Sequence, residues 1–565
     1  MTRSTLILGA TVLFATSLGA RAISPNAVDG QNPPAQQPPA TPPAGAPPAQ
    51  GGQGGQAGRD GAPGVQPGRG RGRGNPMADK FTSVCATCHG TTQAKGPVGP
   101  SLFADTWTHG GDDDSIVKSI KNGYPEKGMP AFKDQMTDPE IWQMIAYIRT
   151  QTQNLKEKPV YIPDPDGQII KSEKQTFKME IVARNLETPW ALAFLPDGRL
   201  MITERPGRLR IVENGKMLDE PVKGMPKVWE KQDGGLFDVE VHPDYAKNGW
   251  IYISYSETLT GWTPPPPPPP PDPNAPAPTT PPAGQGQGPG GFGRGGRGPS
   301  SDPPSMTVIM RGRIKNNEFV DQQVLFRAPK EIYNQTNAHY GSRFLFDKEN
   351  HLFFTLGEKQ QMMDAQDLSK PTGKIHRIND DGTIPKDNPY VGQPNVWPSI
   401  WSYGHRNPQG LAWDPVTGQL WESEHGPTGG DEINIIYPKH NYGWGVVSKG
   451  IQPGITKTSE PGMDDPVRYW TPSVAPSGIA FYTGDKYPGW QNNLFVSCLA
   501  GQQLKRLEIK DGKVLHEEQV FNQFGRVHDV IQGPDGLLYV TLQLPGQVLS
   551  QSTPGMVARL VPVKD

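Results

Sequence analysis

Cysteine is nearly absent: three residues in 565, two of them inside the single phrase Cys85-Ala86-Thr87-Cys88-His89. That count excludes a disulfide-stapled scaffold. Net charge is missing as well. Lys and Arg number 55 against 57 Asp and Glu, a formal charge of −2, which excludes a broadly basic nucleic-acid binder. Apolar residues make up only 34 % of the chain, low for a globular protein. Much of the shortfall is Gly (67) and Pro (63), concentrated in residues 31–76 and 264–304. Long apolar runs are lacking, with one exception at residues 5–20. Arg3 precedes that run and Ala20-Arg21-Ala22 follows it, the pattern of a cleaved export signal over residues 1–22. The run is short for a 30 Å hydrocarbon core. The expectation is an exported, periplasmic or secreted protein with no stable membrane span after cleavage. A Gly-rich dinucleotide fingerprint is also missing, which disfavours nicotinamide or flavin.

Four further segments follow. Residues 23–76 are Pro/Ala/Gln-rich and then Gly/Arg-rich, and cannot bury enough apolar surface to offset chain entropy, so a disordered spacer is expected. The Arg-Gly repeats near Arg69 and Arg73 read as part of that solvated spacer. Residues 77–155 read as a small helical unit. A helix is expected over 112–122, with acidic residues in its first turn, and another from Asp138 and Pro139 through 141–151. Trp142, Ile145, Ala146 and Ile148 share one face of the second. Residues 156–173 read as a linker.

From 174 to 565 the pattern changes to apolar run, Asp/Pro/Gly turn, apolar run. The phrase recurs six times: at 190–204, 236–255, 341–356, 409–423, 477–497 and 529–542. One such unit cannot bury both its faces, so an array of sheets is implied, and a six-bladed β-propeller closes it. Residues 264–304 begin with eight prolines and interrupt this array as an exposed, disordered insert. The fold expected is mostly β: a propeller preceded by a small all-α domain.

Cys85, Cys88 and His89 are the strongest local signal. Two thiols at this spacing can form thioethers to porphyrin vinyl groups, and the adjacent His reaches the iron. A zinc half-site or redox dithiol is the competing reading, but zinc would want two further local ligands and the next cysteine is Cys498. Forty residues on, Gly128-Met129-Pro130-Ala131-Phe132 offers a thioether as sixth ligand, with Met136 and Met144 as competitors. Residues 77–151 thereby resemble a class I cytochrome c domain. The resemblance implies covalent haem c, with His89 and Met129 on the iron, and single-electron transfer.

Three polar phrases stand in the propeller region: Ala338-His339-Tyr340-Gly341-Ser342-Arg343, Gly404-His405-Arg406-Asn407-Pro408-Gln409-Gly410, and Glu424-His425-Gly426-Pro427 continuing to Gly430-Asp431-Glu432-Ile433-Asn434. With Gly234-Gly235-Leu236-Phe237-Asp238-Val239 and His242-Pro243-Asp244, they resemble the soluble PQQ-dependent glucose/aldose (sorbosone dehydrogenase-like) family. The resemblance implies a six-bladed propeller that oxidises an aldose, or a related alcohol or aldehyde. His339 would be the base, and Arg406 would stabilise charge on the reduced quinone. PQQ contacts would come from Gln232, Arg406, Asn407 and Arg526. Calcium would be held by the carbonyls of Gly426 and Pro427, with Glu432 and Tyr442 at a second position. Asp233 competes with Gln232 by one residue of register. Two departures weaken the PQQ set: Ala500 stands where the family has Lys, and His528 where it has a second Arg, with Lys505 downstream. His405 and His425 read as structural, and Cys498 as a buried free thiol.

The two modules together imply a quinohaemoprotein that passes electrons from PQQ through haem to an external acceptor. The alternative is a propeller that has lost catalysis and serves as a binding platform beside an electron-relay cytochrome.

Overall fold

A computed structural model describes residues 76–90, 96, 98–103, 107–155, 162–264, 302–544 and 552–563. The expected signal, almost all of the N-terminal spacer and nearly all of the proline insert lie outside the described residues. Everything described belongs to one compact unit spanning Gly70–Asp565.

The N-terminal part is helical. Helix α1, Pro76–Lys80, runs through a π-turn, Phe81–Cys85, into a last turn, Ala86–His89, closed by Gly90 at φ +73°. Helix α2 is Asp113–Asn122; Asp112 caps it, accepting from the Ser115 N–H at 2.9 Å and the Ser115 hydroxyl at 2.6 Å. Helix α3, Asp138–Leu155, begins in a capping box. The Thr137 N–H donates to Glu140 Oε2 (2.8 Å), and the Glu140 N–H donates to Thr137 Oγ1 (3.4 Å). Ile141, Met144, Ile145 and Ile148 of α3 bury against Phe81, Phe103 and Ile116.

The rest is six antiparallel sheets. Blade 1 holds Pro189–Phe194, Leu200–Glu204, Arg208–Glu213 and Lys216–Met217. Blade 2 holds Leu236–Val241, Ile251–Thr258, Ser305–Lys315 and Glu318–Arg327. Blade 3 holds Phe344–Phe346, His351–Leu356, Lys374–Asn379 and Ile400–Tyr403. Blade 4 holds Pro408–Trp413, Leu420–Glu424, Asp431–Ile436 and Arg468–Trp470. Blade 5 holds Pro476–Phe481, Leu494–Cys498, Gln503–Lys510 and Lys513–Phe521. Blade 6 holds Val530–Gln532, Leu538–Gln543 and Pro554–Pro562, completed by Thr176–Glu187. Each of the six recurring phrases is the first hairpin of one blade.

Closure between the chain's two β ends was not legible in that repeat. Thr176–Glu187 pairs with Pro554–Pro562 in blade 6, so the ring needs no exposed seam there. Ile169–Lys171, inside the stretch read as linker, adds a fifth strand to the same sheet. The proline insert joins two paired strands of blade 2. Its described foot is tied down: Leu259 N–H donates to the Pro304 carbonyl (2.8 Å), and Asp302 accepts from Asn337 Nδ2 (2.9 Å).

A buried ion cluster ties the blades together. Arg343 Nη1 lies 3.2 Å from both Asp238 and Asp529, and its Nε donates to the Gln409 carbonyl (2.8 Å). The Leu192 N–H donates to Asp529 Oδ2 (3.0 Å). Blades 1, 2, 3, 4 and 6 thus share one hub. Burial pushes Asp238 up to about 7, even with Arg343 opposing it. Arg343, part of a phrase singled out for chemistry, therefore does structural work.

Candidate functional site

Four loop segments meet at one mouth of the propeller. His339 follows blade 2 at φ +56°, a conformation non-glycine residues seldom adopt and one often held at active sites. The fit there is tight: a Cβ on Gly357 would stand 2.3 Å from the His339 carbonyl oxygen. The ring is nearly buried, and Nδ1 lies 2.9 Å from Glu358 Oε1. An Nδ1–H donating to that carboxylate leaves Nε2 with its lone pair free. Burial drives the Glu358 pKa up, but His339 and Arg406 outweigh it and hold the carboxyl below its ordinary value.

Arg406 and Asn407 approach from the blade 3–4 connection. The Arg406 carbonyl accepts from the Glu358 N–H (2.9 Å), its Nη1 donates to the His425 carbonyl (3.1 Å), and its guanidinium lies 5.1 Å from the centre of the Trp444 ring. Asn407 Oδ1 accepts from the Gly341 N–H (3.1 Å), tying it to the His339 loop. Asp233 completes the third side, its Oδ2 accepting from the His339 N–H (3.3 Å). Gln232 is half-buried, and its carbonyl accepts from Arg205 Nη1 (3.0 Å). Burial lowers the pKa values of Arg205, Arg406 and Arg526, and the Asp233 charge opposes it at all three. The mouth is therefore a ring of partly desolvated cations around one exposed carboxylate, suited to a polyanionic planar ligand.

Three residues here escaped the sequence reading. Glu358 and Lys359 stand one residue, Gly357, past the buried strand His351–Leu356, and a charged pair near a strand end is their only signal. Lys359 is fully buried, its Nζ 3.4 Å from the Tyr340 ring centre and 2.6 Å from the Thr336 carbonyl; burial holds its pKa well below normal. Arg205 adds a cation beside Gln232, Arg526 and His528. His528 is buried, bonds Gln543 Oε1 at 2.6 Å, and is pushed by burial down to about 3, so it is neutral. Ala500 sits in a short 3₁₀ turn, its N–H on the Val474 carbonyl (3.0 Å). Lys505 pairs with Glu517 and does not replace the missing cation.

Blade 4 supplies the oxygens. Gly426, Pro427, Glu432 and Tyr442 all wall one small cavity that Arg406, Glu424 and His425 share. Directly beneath, Asn434 Nδ2 reaches Glu422 (3.1 Å), Glu424 (3.5 Å) and Glu432 (3.3 Å). Glu422 Oε1 and Asn434 Oδ1 are buried without a hydrogen-bond partner among the described residues. Burial, then Glu424, pushes Glu432 up to about 8, and burial also raises Glu422 well above its ordinary value. Clustered hard oxygen donors, which a bound cation would hold ionised, fit a calcium ion. His405 is fully buried and stacks on Tyr442 at 4.7 Å; His425 is pushed by burial down to about 3.

The helical part holds a second site. Cys85, Cys88, His89 and Met129 line one apolar cavity of about 570 Å³, with Met136 and Met144 also on its wall, within the range of cofactor pockets. His89 Nδ1 lies 2.7 Å from the Pro100 carbonyl, which orients the ring and leaves Nε2 for a metal. Gly99 is required beside it, since a Cβ there would stand 2.7 Å from the ring. Burial pushes the Cys85 thiol up to about 11. Met136 and Met144 belong to the apolar core, whereas Met129 stands outside it, its loop pinned by a two-bond bridge to Tyr124. The donor set fits haem.

A six-bladed propeller carrying a histidine–carboxylate pair in a cationic mouth, with a haem-type pocket on the same chain, defines a redox protein. The family model for glucose/sorbosone dehydrogenases matches residues 186–550, and the chain belongs to that family of oxidoreductases. A second model, for subunit III of cbb3-type cytochrome c oxidase, matches residues 73–148. The chain is 37 % identical over 388 residues to the aldose sugar dehydrogenase YliI of Escherichia coli, covering 67 % of this chain and 93 % of that protein. It is 26 % identical over 470 residues to quinoprotein glucose dehydrogenase B of Acinetobacter calcoaceticus (68 % and 90 % covered). The apo crystal structure of the Escherichia coli aldose sugar dehydrogenase superposes with a TM-score of 0.57 at 34 % identity, covering 68 % of this chain and all of that one.

Proposed function

We propose that this protein oxidises an aldose, or a related alcohol or aldehyde, at the propeller mouth and passes the electrons through its own haem to an external acceptor. The observation that carries this reading is the His339–Glu358 pair facing the cations of the mouth, in a chain that also contains a haem-type pocket. When bound, PQQ would supply the two-electron acceptor, calcium would polarise it, and covalent haem c would supply the one-electron relay.

The chain's own residues do the rest. His339 Nε2 takes the proton of the substrate hydroxyl, and Glu358 fixes the ring and stabilises the imidazolium that results. Arg406, at its fixed place by the His425 carbonyl, supplies positive charge where negative charge grows. Gln232 or Asp233, Asn407 and Arg526 would hold the quinone's polar edge, and Gly426, Pro427, Glu432 and Tyr442 the calcium. His89 and Met129 would ligate the iron, with Cys85 and Cys88 as its thioethers. Support for export comes from Arg3, the apolar run and Ala20-Arg21-Ala22. No described helix is long and apolar enough to cross a membrane.

The test is stopped-flow absorbance of haem-loaded protein with PQQ and Ca²⁺, mixed with a panel of aldoses. Growth of the reduced-haem band only in the presence of PQQ is the expected result. His339→Ala should abolish it and leave the oxidised haem spectrum unchanged; normal turnover in that variant overturns the assignment of the base. Ala500 and His528 favour a second reading, a binding platform without catalysis. Calorimetry that detects neither PQQ nor calcium binding would select it.

A further inference from the structure

One stretch of blade 4, residues 443–457, touches both sites. Near its start, Trp444, Val447 and Ser448 wall the cavity that holds Gly426 and Pro427. A few residues on, Ile451 is buried within the apolar cluster of the helical domain, the cluster of Ile116, Met136, Met144 and Ile148. Those four also wall the haem cavity. Near the end of the stretch, the Ile455 carbonyl accepts from Gln143 Nε2 of α3 (2.9 Å). Beside it, Trp142 of α3 meets Tyr469 of blade 4 edge-on, with ring centres 6.4 Å apart.

Backbone detail explains how this stretch gets so close. The Ile451 N–H donates to the Thr428 carbonyl (3.0 Å), one residue beyond Pro427. A Cβ on Gly450 would stand 2.1 Å from the Gly429 carbonyl oxygen, and one on Gly430 would stand 2.2 Å from the Gly450 nitrogen. Two glycine backbones are pressed together where any side chain would hold them apart. The glycines after Pro427 therefore serve more than the cavity.

We infer that residues 443–457 are the seat of the haem domain on the propeller and carry the electrons from the mouth to the haem; the second half of this inference rests on the function proposed above. Two short routes follow. One runs along Pro427 and Thr428, crosses a single hydrogen bond to Ile451, and enters the haem domain's apolar core. The other runs from Arg406 to Trp444, which packs with Ile455, and on to Gln143. Covalent bonds, hydrogen bonds and packed rings carry tunnelling electrons better than open solvent does. The balance is one substrate C–H and one O–H broken, a C=O formed, two protons released, and the single haem iron reduced from ferric to ferrous twice in succession. A one-electron oxidant outside the chain, ferricyanide in the assay, resets the haem between them.

The test uses the full-length holoprotein loaded with haem, PQQ and Ca²⁺. Ile451→Asp places a charge in the haem-domain core without touching the mouth. Trp142→Ala/Gln143→Ala loosens the same seat from the other side, should the first variant fold poorly. Small-angle scattering should show a larger radius of gyration in either variant. Sugar-driven haem reduction should fall at least tenfold, while sugar-driven reduction of a small diffusible dye stays within twofold. An unchanged radius in both variants overturns the seat, and unchanged haem reduction overturns the path. If the parent protein reduces neither dye nor haem, the proposed function fails by itself, and scattering still decides the seat.

Discussion

Glu358→Gln isolates the role of the carboxylate behind His339. Glu358 is 2 % exposed, and the bond from His339 Nδ1 is 2.9 Å long. Glutamine keeps the volume and removes the charge. Its amide can orient two ways. With its oxygen toward Nδ1 the bond survives as a neutral one, and the NH₂ takes the place of Oε2, which is buried without a partner. With its nitrogen toward Nδ1, the imidazole must accept there and carry its proton on Nε2, the atom that has to receive one. An ionic hydrogen bond contributes about 1.5–3 kcal/mol and a neutral one about 0.5–1.5. The better orientation therefore loses about 1–2 kcal/mol from the step that forms imidazolium, roughly five- to thirtyfold in rate. Steady-state oxidation of an aldose with a dye acceptor should show that loss in kcat, with KM within twofold. Thermal stability should fall, because His339 and Arg406 favour the ionised carboxyl in the folded chain and lose it in the variant. A kcat within twofold of the parent, or a loss confined to KM, would refute the positioning role.

Other consequences follow from the same structure. Gly99→Ala should push the His89 ring off its Pro100 bond and convert the haem spectrum from six-coordinate low-spin toward high-spin, read by visible absorbance. EGTA should lower Tm by several degrees at neutral pH by removing the cation that Glu422, Glu424 and Glu432 would bind in the folded chain, and Glu422→Gln should shrink that response. His376 and His528 are each held by burial down to about 3, whereas an unfolded imidazole takes up its proton near 6.5. Between those values the unfolded chain binds more protons, so stability should fall as pH drops from about 6.5 toward 3, and His376→Gln should flatten the slope of Tm against pH. Asp529→Ala should cost about 3–5 kcal/mol by leaving the Arg343 hub short of a carboxylate, measured by denaturant unfolding of the parent and variant.

How far each feature could be read from the chain depended on its range. The six hairpins were legible because apolar alternation and an Asp/Pro/Gly turn are local properties. The blade-6 closure was not, because Thr176–Glu187 finds its partner at Pro554–Pro562, and no local pattern records that pairing. The Cys85–His89 phrase was legible because two thiols and an imidazole come from five consecutive residues. Glu358 was not, because its meaning depends on a histidine nineteen positions earlier. Arg343 was misleading in the other direction: it stands in a polar phrase beside His339, yet its side chain turns to the axis and binds Asp238 and Asp529.

The blade-4 phrase from Glu424 to Asn434 answers three demands at once, and this explains its density of glycine and carboxylate. Asp431 is fully buried; its Oδ1 accepts from the Gly426 N–H (2.7 Å) and its Oδ2 from the Val474 and Ala475 N–H groups (2.6 Å each), which fixes the loop against blade 5. Glu432 turns the other way, toward Asn434 and the oxygen cluster. Gly429 and Gly430 leave room for Gly450, and so for the stretch that ends in the haem domain. A side chain at Gly430 would have to move the backbone of Lys449 and Gly450. The structural consequence is coupling: the loop that would hold the metal at the mouth cannot shift without shifting the strap that seats the haem. Gly430→Ala should therefore lower calcium affinity and slow haem reduction together, whereas Ile451→Asp should slow haem reduction alone. Calcium titration by calorimetry, paired with stopped-flow, separates the two, and a Gly430→Ala variant impaired in only one of them would break the proposed link.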